Sequence, residues 1–305
     1  MENRNLLAYI FILLKGMAMG AADVVPGVSG GTIAFISGIY EELITSINNV
    51  NVSLLNTLRK EGIKAFWTKL NGNFLLALLL GIGISVLSLA KLISWLMENE
   101  PIPLWSFFFG LVVASIILVG KEIKKWNLAA IIILILGAAI AFYVTKLPPS
   151  ENSASLPYLF FSGALAICAM ILPGISGAFI LVLLGSYKTV LDAVHERDLN
   201  IVFTVGLGAI FGLLSFAKLL KWMFVHYKNL TLALLTGFIL GSLNKIWPWK
   251  EVLETKMFGE KIITIKDQNI SPFSFDGDPQ LISAIILAIL GFSLIFILEK
   301  LAAKK

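Results

Sequence analysis

A short polar segment rich in glycine occurs twice in a chain that is otherwise apolar. Residues 20–32 are Gly-Ala-Ala-Asp-Val-Val-Pro-Gly-Val-Ser-Gly-Gly-Thr, and residues 171–177, Ile-Leu-Pro-Gly-Ile-Ser-Gly, match its centre at an offset of 147. A proline removes a helix hydrogen bond and each glycine weakens a helix, so both segments should interrupt one. Within a membrane, such a break is tolerated only where the freed backbone groups face protein or a wet cavity. Broken helices in corresponding positions of two halves are typical of a transport site.

The composition is that of a membrane protein. Of the 305 residues, 58% are hydrophobic and only 14% are charged, and the mean hydropathy is +0.89; soluble proteins have roughly 25% charged residues. The net charge of +5 therefore bears on membrane topology, and no nucleic-acid partner is expected. The lone Cys168 excludes a disulfide framework. The first residues resemble a signal peptide, but Lys15 interrupts their apolar run and the adjoining motif recurs, so we expect them to be retained.

The apolar segments divide the chain into two similar halves, 1–147 and 148–305. We predict one re-entrant helical hairpin and three transmembrane helices in each, because segments beside the motifs, such as 6–19 and 32–47, are shorter than the ~20 residues of a spanning helix. Two further matches support a repeat: residues 87–92 with 214–219 at an offset of 127 and, more weakly, 131–137 with 285–291 at an offset of 154. The predicted hairpins are 6–47 and 158–194, and the predicted spans are 74–97, 104–119, 128–144, 201–220, 230–246 and 281–298.

Two segments fall outside this pattern. Residues 50–72 have no counterpart in the second half, and their spacing of basic and apolar residues fits either an interfacial amphipathic helix or a solvated loop. A run at 261–265, within the polar loop 248–279, has the composition of a β-strand.

The odd number of crossings in each half predicts an all-α polytopic membrane protein with two inverted repeats. A single broken span for each motif would instead make the repeats parallel. When both termini are placed in the cytoplasm, every strongly basic loop is cytoplasmic, as the positive-inside rule requires. The two hairpins then enter from opposite faces, and their tips should meet near the middle of the bilayer.

The hairpin tips have the features of an anion site. Ser29 and Ser176 are placed to cap the helices that follow the motifs, where free N–H groups and the helix dipole attract negative charge. Glycines would let a bulky headgroup approach the backbone. The alternative is that the glycines only permit close helix packing. The predicted anion-binding residues are Ser29, Gly30, Gly31, Thr32, Ser176 and Gly177.

Two carboxylates are candidates for coupling or gating. Asp23 lies in an apolar stretch, where an ionisable group is costly and is by default a functional candidate. It could carry a proton or bind a coupled cation; the alternative is a structural hydrogen bond at the tip. Its counterpart at the offset of 147 is Met170. Glu41 follows Tyr40 near the end of the first hairpin.

Three lysines could contact an anion, although lysines near helix ends commonly extend to the membrane interface instead. Two of them occupy equivalent positions in the halves. The three are Lys15, Lys91 and Lys218.

The sequence contains no recognisable catalytic or metal-binding set. His195 and His226 are the only histidines, and no cysteine pair accompanies them, so we expect neither a metal nor a cofactor. There is no Walker A loop and no convincing nucleophile with a base. These features favour a transport protein over an enzyme.

The segment Gly-Ala-Ala-Asp-Val-Val-Pro-Gly-Val-Ser-Gly-Gly-Thr-Ile-Ala, which continues to Gly38-Ile39-Tyr40-Glu41, resembles the bacterial polyprenyl-phosphate transporter family, and Leu-Pro-Gly-Ile-Ser-Gly resembles that family's internal repeat. The resemblance covers nearly the whole chain. It implies a translocase that returns undecaprenyl phosphate, or a similar polyprenyl phosphate, to the cytoplasmic face of the inner membrane for envelope synthesis.

Under this resemblance the tips would hold the phosphate, and the partners are the lipid substrate and membrane lipids. Two alternatives remain: an ion-coupled secondary transporter of a small soluble anion, and a membrane lipid phosphatase. The coupling ion, the prenyl length and the oligomeric state stay open.

Overall fold

The chain folds into helices with one small sheet. The computed structural model describes residues 4–25, 28–148, 150, 155–258 and 261–303. Five of the described helices are long and apolar enough to cross a membrane, and a two-stranded sheet corrects the all-α expectation. The helices are α1 Leu6–Val24, α2 Gly30–Ile36, α3 Tyr40–Asn48, α4 Val52–Leu70, α5 Gly72–Asn99, α6 Pro101–Glu122, α7 Leu128–Lys146, α8 Leu156–Ile171, α9 Gly177–Leu183, α10 Tyr187–Glu196, α11 Leu199–Ser242 and α12 Leu281–Ala303, and the antiparallel strands are β1 Lys250–Phe258 and β2 Lys261–Asn269.

The arms beside the motifs differ from the predicted ones. The first arm is not short, because α1 runs for 19 residues to Val24 and includes Asp23. The second arm is not one helix: it divides into α2 and α3 at Gly38, whose φ is +73°, and the equivalent arm divides into α9 and α10 at Gly185, whose φ is +65°. The axes of α9 and α10 differ by 108°. Positive φ suits glycine best, so this pair of glycines marks bends in both halves.

One helix is long enough for two membrane spans. α11 has 44 residues, which at the rise of an α-helix is about 66 Å, roughly twice the hydrocarbon core of a bilayer. Its backbone leaves helical geometry at Tyr227, where φ is −136° and ψ is 44°. The segments before and after Tyr227 correspond to the predicted spans 201–220 and 230–246.

The extra stretch of the first half is a helix that folds back on itself. α4 leaves helical geometry at Gly62, and the Lys69 ammonium lies 2.7 Å from the Ser53 hydroxyl and 2.9 Å from the Thr57 hydroxyl. In a straight helix, residues 53 and 69 would lie about 24 Å apart. α4 is therefore two short helices side by side, and the solvated-loop alternative is wrong.

Helices approach most closely at pairs of glycines. Where α1 crosses α5, a Cβ on Gly16 would overlap the carbonyl oxygen of Leu78, and a Cβ on Gly81 would overlap that of Leu13. Glycine allows this approach of two backbones within a membrane. The same contacts recur where α8 crosses α11, at offsets of 147 and 127, between Gly163 and Val205 and between Gly208 and Phe160.

The last long helix of each half, α7 or α12, packs on a helix of the other half. Gly137 of α7 meets the carbonyl of Leu234, and Gly237 meets that of Leu134, so α7 packs on the part of α11 after Tyr227. The two halves therefore exchange helices rather than standing side by side. The equivalent contacts between α6 and α12, at offsets of 127 and 154, are Gly110 with Ala288 and Gly291 with Phe107.

The sheet is fixed to the ends of α6 and α12 by two tryptophans. The Trp247 indole donates to the carbonyl of Ile270 at 2.9 Å, and the Trp249 indole donates to that of Pro279 at 2.9 Å. Trp249 also packs with Ile102 and Ala284 in a small apolar cluster. The strand character predicted for 261–265 is confirmed by β2.

Candidate functional site

The two broken segments touch in the interior of the protein. The Ser29 hydroxyl lies 3.0 Å from the carbonyl oxygen of Met170 and 3.2 Å from that of Leu172, and its one proton can serve either. The amide of Gly174 donates to the Thr32 hydroxyl at 2.9 Å. The contact predicted between the tips is therefore present, while their depth in the bilayer stays a prediction. Pro26 and Gly27 lie outside the described residues.

Glycine is required where the tips meet. A Cβ on Gly31 would overlap the carbonyl of Ile171 on the opposite tip. Gly174 has a φ of +91°, and a Cβ there would lie 2.8 Å from the carbonyl oxygen of Phe238 and from the Ser242 hydroxyl on α11. These glycines thus allow the two tips to pack closely, which was the alternative to anion binding. Anion binding by the tips stays a prediction.

At the first tip, protein groups already occupy the helix N-terminus. Asp23 accepts a hydrogen bond from the amide of Gly30 at 2.7 Å, and the Ser29 hydroxyl accepts one from the amide of Gly31 at 3.1 Å. The predicted capping role of Ser29 is confirmed. Ser29 and Thr32 are almost fully buried. A carboxylate therefore lies where the sequence analysis placed an anion.

At the second tip, the corresponding helix N-terminus lacks these groups. Ser176 stands at the capping position and is buried, yet within the described structure its side chain makes no capping hydrogen bond to α9. Met170 replaces the carboxylate: a Cβ on Gly177 would lie 3.3 Å from the Met170 Cβ, just as one on Gly30 would meet Asp23. The structure thus brings all six predicted anion-site residues to one region, with unequal chemistry on its two sides.

The predicted lysines lie elsewhere. Lys15 donates to the backbone carbonyl of Ser37 at 2.6 Å, at the C-terminal end of α2, where a cation is favourable. Lys91 and Lys218 are exposed on α5 and α11. No hydrogen bond among the described residues joins either of them to the tips.

The carboxylates after Tyr40 connect the first hairpin to other elements. Glu41 pairs with Lys228, just after the break in α11, at 2.6 Å; both side chains are more than half exposed, so solvent screens the pair. Glu42, which the sequence analysis did not select, accepts two hydrogen bonds from Arg4, at 2.6 and 2.8 Å, and one from Asn71 at 2.8 Å. Its acidic position in the first turn of α3 was the only signal available.

A multi-pass helical membrane protein in which two helix breaks meet in the interior has features typical of membrane transporters. Comparison with known proteins gives the family. A family model described as VCA0040-like, undecaprenyl phosphate translocase-like, matches residues 19–262, and the chain belongs to this family.

Two relatives cover most of the chain. A protein of Vibrio cholerae serotype O1, named polyprenyl-phosphate transporter, is 46% identical over 302 residues, which is 97% of this chain and 98% of the relative. A Staphylococcus aureus protein of the same name is 32% identical over 254 residues, covering 77% of this chain and 85% of the relative. No solved structure matches the chain.

Proposed function

We propose that this protein is a translocase that returns undecaprenyl phosphate, or a similar polyprenyl phosphate, from the outer to the cytoplasmic leaflet of the bacterial inner membrane. Both relatives are named polyprenyl-phosphate transporter, and the family model describes translocases of undecaprenyl phosphate. One observation in the structure carries the proposal: at the contact of the two tips, the Gly30 amide holds an anionic group, the Asp23 carboxylate. A phosphate headgroup would use the same kind of donor while its prenyl tail stays in lipid.

The directions of packed helices support inverted repeats. Gly237 and Gly241 meet Leu134 and Ala138 in turn, so the part of α11 after Tyr227 runs parallel to α7. Short connections on either side of α6 give α7 the direction of α5. If α11 reverses at its break, as its length requires, its first part runs opposite to α5, its counterpart at the offset of 127.

The headgroup site would open when the tips separate. In the conformation described here, the Gly30 and Gly31 amides donate hydrogen bonds to Asp23 and Ser29. The Thr32 hydroxyl accepts a hydrogen bond from the second tip. Two anions at one amide would repel each other, so we expect the Gly30 amide to donate either to the Asp23 carboxylate or to the phosphate, and not to both at once. Protonation of Asp23 would release the amide to phosphate, and this exchange couples a proton to the movement of the lipid. The residues proposed to line the headgroup site are Ser29, Gly30, Gly31, Thr32, Ser176 and Gly177.

The distribution of charge supports the proposed orientation. With both termini in the cytoplasm, the basic residues of α4, the end of α6 and the break in α11 lie on the cytoplasmic side. The sheet and the loop between the halves then face the opposite side. The first hairpin opens to the cytoplasm and the second to the exterior, so the paired tips would be reachable from each side in turn.

Transport of the labelled lipid tests the proposal directly. Purified protein is placed in liposomes with labelled undecaprenyl phosphate, and the headgroup accessible in each leaflet is followed with and without a proton gradient. We expect protein-dependent exchange that the gradient accelerates. Competition by short soluble phosphates would favour a transporter of small anions, and release of inorganic phosphate would favour a lipid phosphatase; either result would contradict the proposal.

A matched pair of glycine variants tests the role of the tips. Gly31→Val places a side chain against the carbonyl of Ile171, whereas Gly83→Val on α5 enters open space, with nothing described within 4 Å of the new Cβ. We expect transport to be lost in the first variant and retained in the second, with both folded in detergent. Equal transport by the two would show that closure of the tips is not part of the cycle.

A further inference from the structure

A cluster of basic side chains lies beside the second tip, in a region that the sequence analysis passed over. Lys245, in the turn that follows α11, and Lys250, at the start of β1, both contact the same oxygen of Asp267 on β2 at 3.3 Å. Lys250 also donates to the backbone carbonyl of Lys245 at 2.6 Å. The two ammonium groups lie over aromatic rings: Lys245 is 5.4 Å from the centre of Phe179, and Lys250 is 5.1 Å from that of Trp105.

The cluster holds more positive charge than its carboxylate balances. Strong charge-assisted hydrogen bonds are about 2.7–2.9 Å long, so two contacts of 3.3 Å to one oxygen are weak pairing. Each ammonium has three N–H donors, so the two lysines have six. The Asp267 oxygen and the backbone carbonyl of Lys245 accept from only part of these six donors. The side chains are only 15–23% exposed. Burial lowers the pKa of Lys250 to about 8, while the charge of Asp267 raises it.

The position of the cluster connects it to the second tip. Phe179, which lies under the Lys245 ammonium, is in the first turn of α9, two residues after Gly177. The tip itself packs through Gly174 on the carbonyl of Phe238 and on Ser242, and Ser242 is three residues before Lys245. The cluster is therefore connected to the second tip through the Phe179 ring and through Ser242.

We propose that Lys245, Lys250 and Asp267 form an anion-capture site for a phosphomonoester, which receives the headgroup of the polyprenyl phosphate before it reaches the paired tips. This inference rests on the proposed function for the identity of the lipid and for the orientation that places the sheet outside. The surplus ammonium charge attracts the headgroup, and Phe179 and Trp105 hold the two side chains in place. The competing explanation is a purely structural ion pair that fastens the sheet to α11.

Binding of short phosphates tests the site without any need for transport. Farnesyl phosphate, inorganic phosphate and farnesol are each titrated into the full-length protein in detergent, and tryptophan emission is recorded for the parent and for Trp105→Phe. The difference between the two reports the indole that lies next to Lys250. We expect farnesyl phosphate to change this difference signal at lower concentration than inorganic phosphate does, and farnesol to leave it unchanged.

Charge variants separate capture from structural support. Lys245→Gln should weaken binding of farnesyl phosphate about tenfold, the size expected for one charge-assisted contact. Lys125→Gln, on an exposed lysine beyond the end of α6, is the matched control and should bind as the parent does. Asp267→Asn removes the carboxylate and keeps both lysines, so it should tighten binding, even if it lowers stability.

Each other outcome would overturn the assignment. Equal binding of inorganic phosphate would make free phosphate the ligand, and an equal response to farnesol would make the signal one of apolar binding. Unchanged affinity in Lys245→Gln, or weaker binding in Asp267→Asn, would leave only the structural ion pair. The proposed function is judged separately: a parent that binds but does not translocate contradicts the function alone, and a Lys245→Gln protein with unchanged half-saturation in transport contradicts the site alone.

Discussion

The two hairpin tips share a motif but differ in what occupies their helix N-termini. At the first tip, the Asp23 carboxylate accepts a hydrogen bond from the Gly30 amide, and the Ser29 hydroxyl accepts one from the Gly31 amide. At the second, Met170 stands in the place of Asp23, and Ser176 makes no capping bond within the described structure. The first tip is therefore closed by the protein's own carboxylate, whereas the described structure shows no side-chain cap on the second.

This difference gives the two tips separate tasks in the proposed cycle. In that cycle a phosphate would be received at the second tip without displacing a carboxylate, and it would bind the first tip only when Asp23 gives up its hydrogen bond or its charge. In the proposed cycle, the asymmetry would supply a direction to an architecture whose helix packing is otherwise repeated. The following variants test it, beginning with the largest expected effect.

Asp23→Asn should remove the difference that couples transport to the gradient. Asparagine can still accept the Gly30 hydrogen bond through its carbonyl oxygen, but it cannot gain or lose a proton. We expect the gradient-driven part of undecaprenyl phosphate transport to be abolished, while binding of the lipid phosphate persists. Met170→Leu, at the equivalent position, is the control and should transport normally. Loss of folded Asp23→Asn protein in detergent would instead indicate a structural role for the carboxylate.

Met170→Asp should make the second tip resemble the first. The new carboxylate would lie beside Gly177, as Asp23 lies beside Gly30. Because it would compete with phosphate for a charge-assisted hydrogen bond, we expect farnesyl phosphate to bind roughly ten- to a hundredfold more weakly. Met170→Asn has the same size without the charge and should weaken binding much less. Equal effects of the two variants would mean that shape, not charge, distinguishes the tips.

Ser29→Ala should destabilise the protein more than Ser176→Ala. Ser29 is fully buried, and its hydroxyl joins the Gly31 amide to a carbonyl of the opposite tip, so its removal should cost about 1–3 kcal/mol of unfolding free energy. Ser176→Ala removes no cap and should change stability by less than about 0.5 kcal/mol. Thermal unfolding in detergent compares them, with Ser115→Ala as a reference, because the buried Ser115 hydroxyl donates to the Leu111 carbonyl within α6. A larger loss in Ser176→Ala would contradict this ranking.

The smallest expected effect concerns pH at the capture site. Lys250 faces Asp267, Lys245 and Lys146, and burial lowers its pKa to about 8. Below that value its ammonium attracts phosphate, and above it the neutral amine does not, so farnesyl phosphate should bind a few-fold more weakly at pH 9 than at pH 7.5. In Lys250→Gln this change should be absent. A pH dependence that persists in the variant would assign the titration to another group.

Part of the architecture could be predicted from residue patterns alone. The segments 74–97, 104–119 and 128–144 were placed by hydropathy, because a helix in lipid satisfies its own backbone whatever its neighbours are. The bends at Gly38 and Gly185 were missed, although the two glycines match at the offset of 147, since a glycine at that place is equally compatible with a continuous helix. The weak match at the offset of 154 is strengthened by tertiary contacts: Gly137 and Gly291 each meet a backbone carbonyl of the other half.

The candidate site was predicted unevenly for a similar reason. Ser29 was correctly expected to be a helix cap, because a cap is a local hydrogen bond between neighbours in the chain. The sequence could not decide whether Asp23 interacts with a coupled ion or with the backbone of the tip. The cluster of Lys245, Lys250 and Asp267 was missed, because a strand pairing brings Asp267 to the lysines and nothing nearby in sequence signals that pairing.

The sequence by itself determined that this is a membrane protein with two related halves, two helix breaks and a capping serine after the first break. These properties depend on composition and on interactions within a few residues, so they can be inferred from the sequence alone. Only the tertiary structure decided which atoms join the tips, that Asp23 closes one of them, and that the halves exchange their last long helices. These facts depend on contacts between residues more than a hundred positions apart, such as Ser29 with Met170 and Thr32 with Gly174, and such contacts are selected by the packing of the whole bundle.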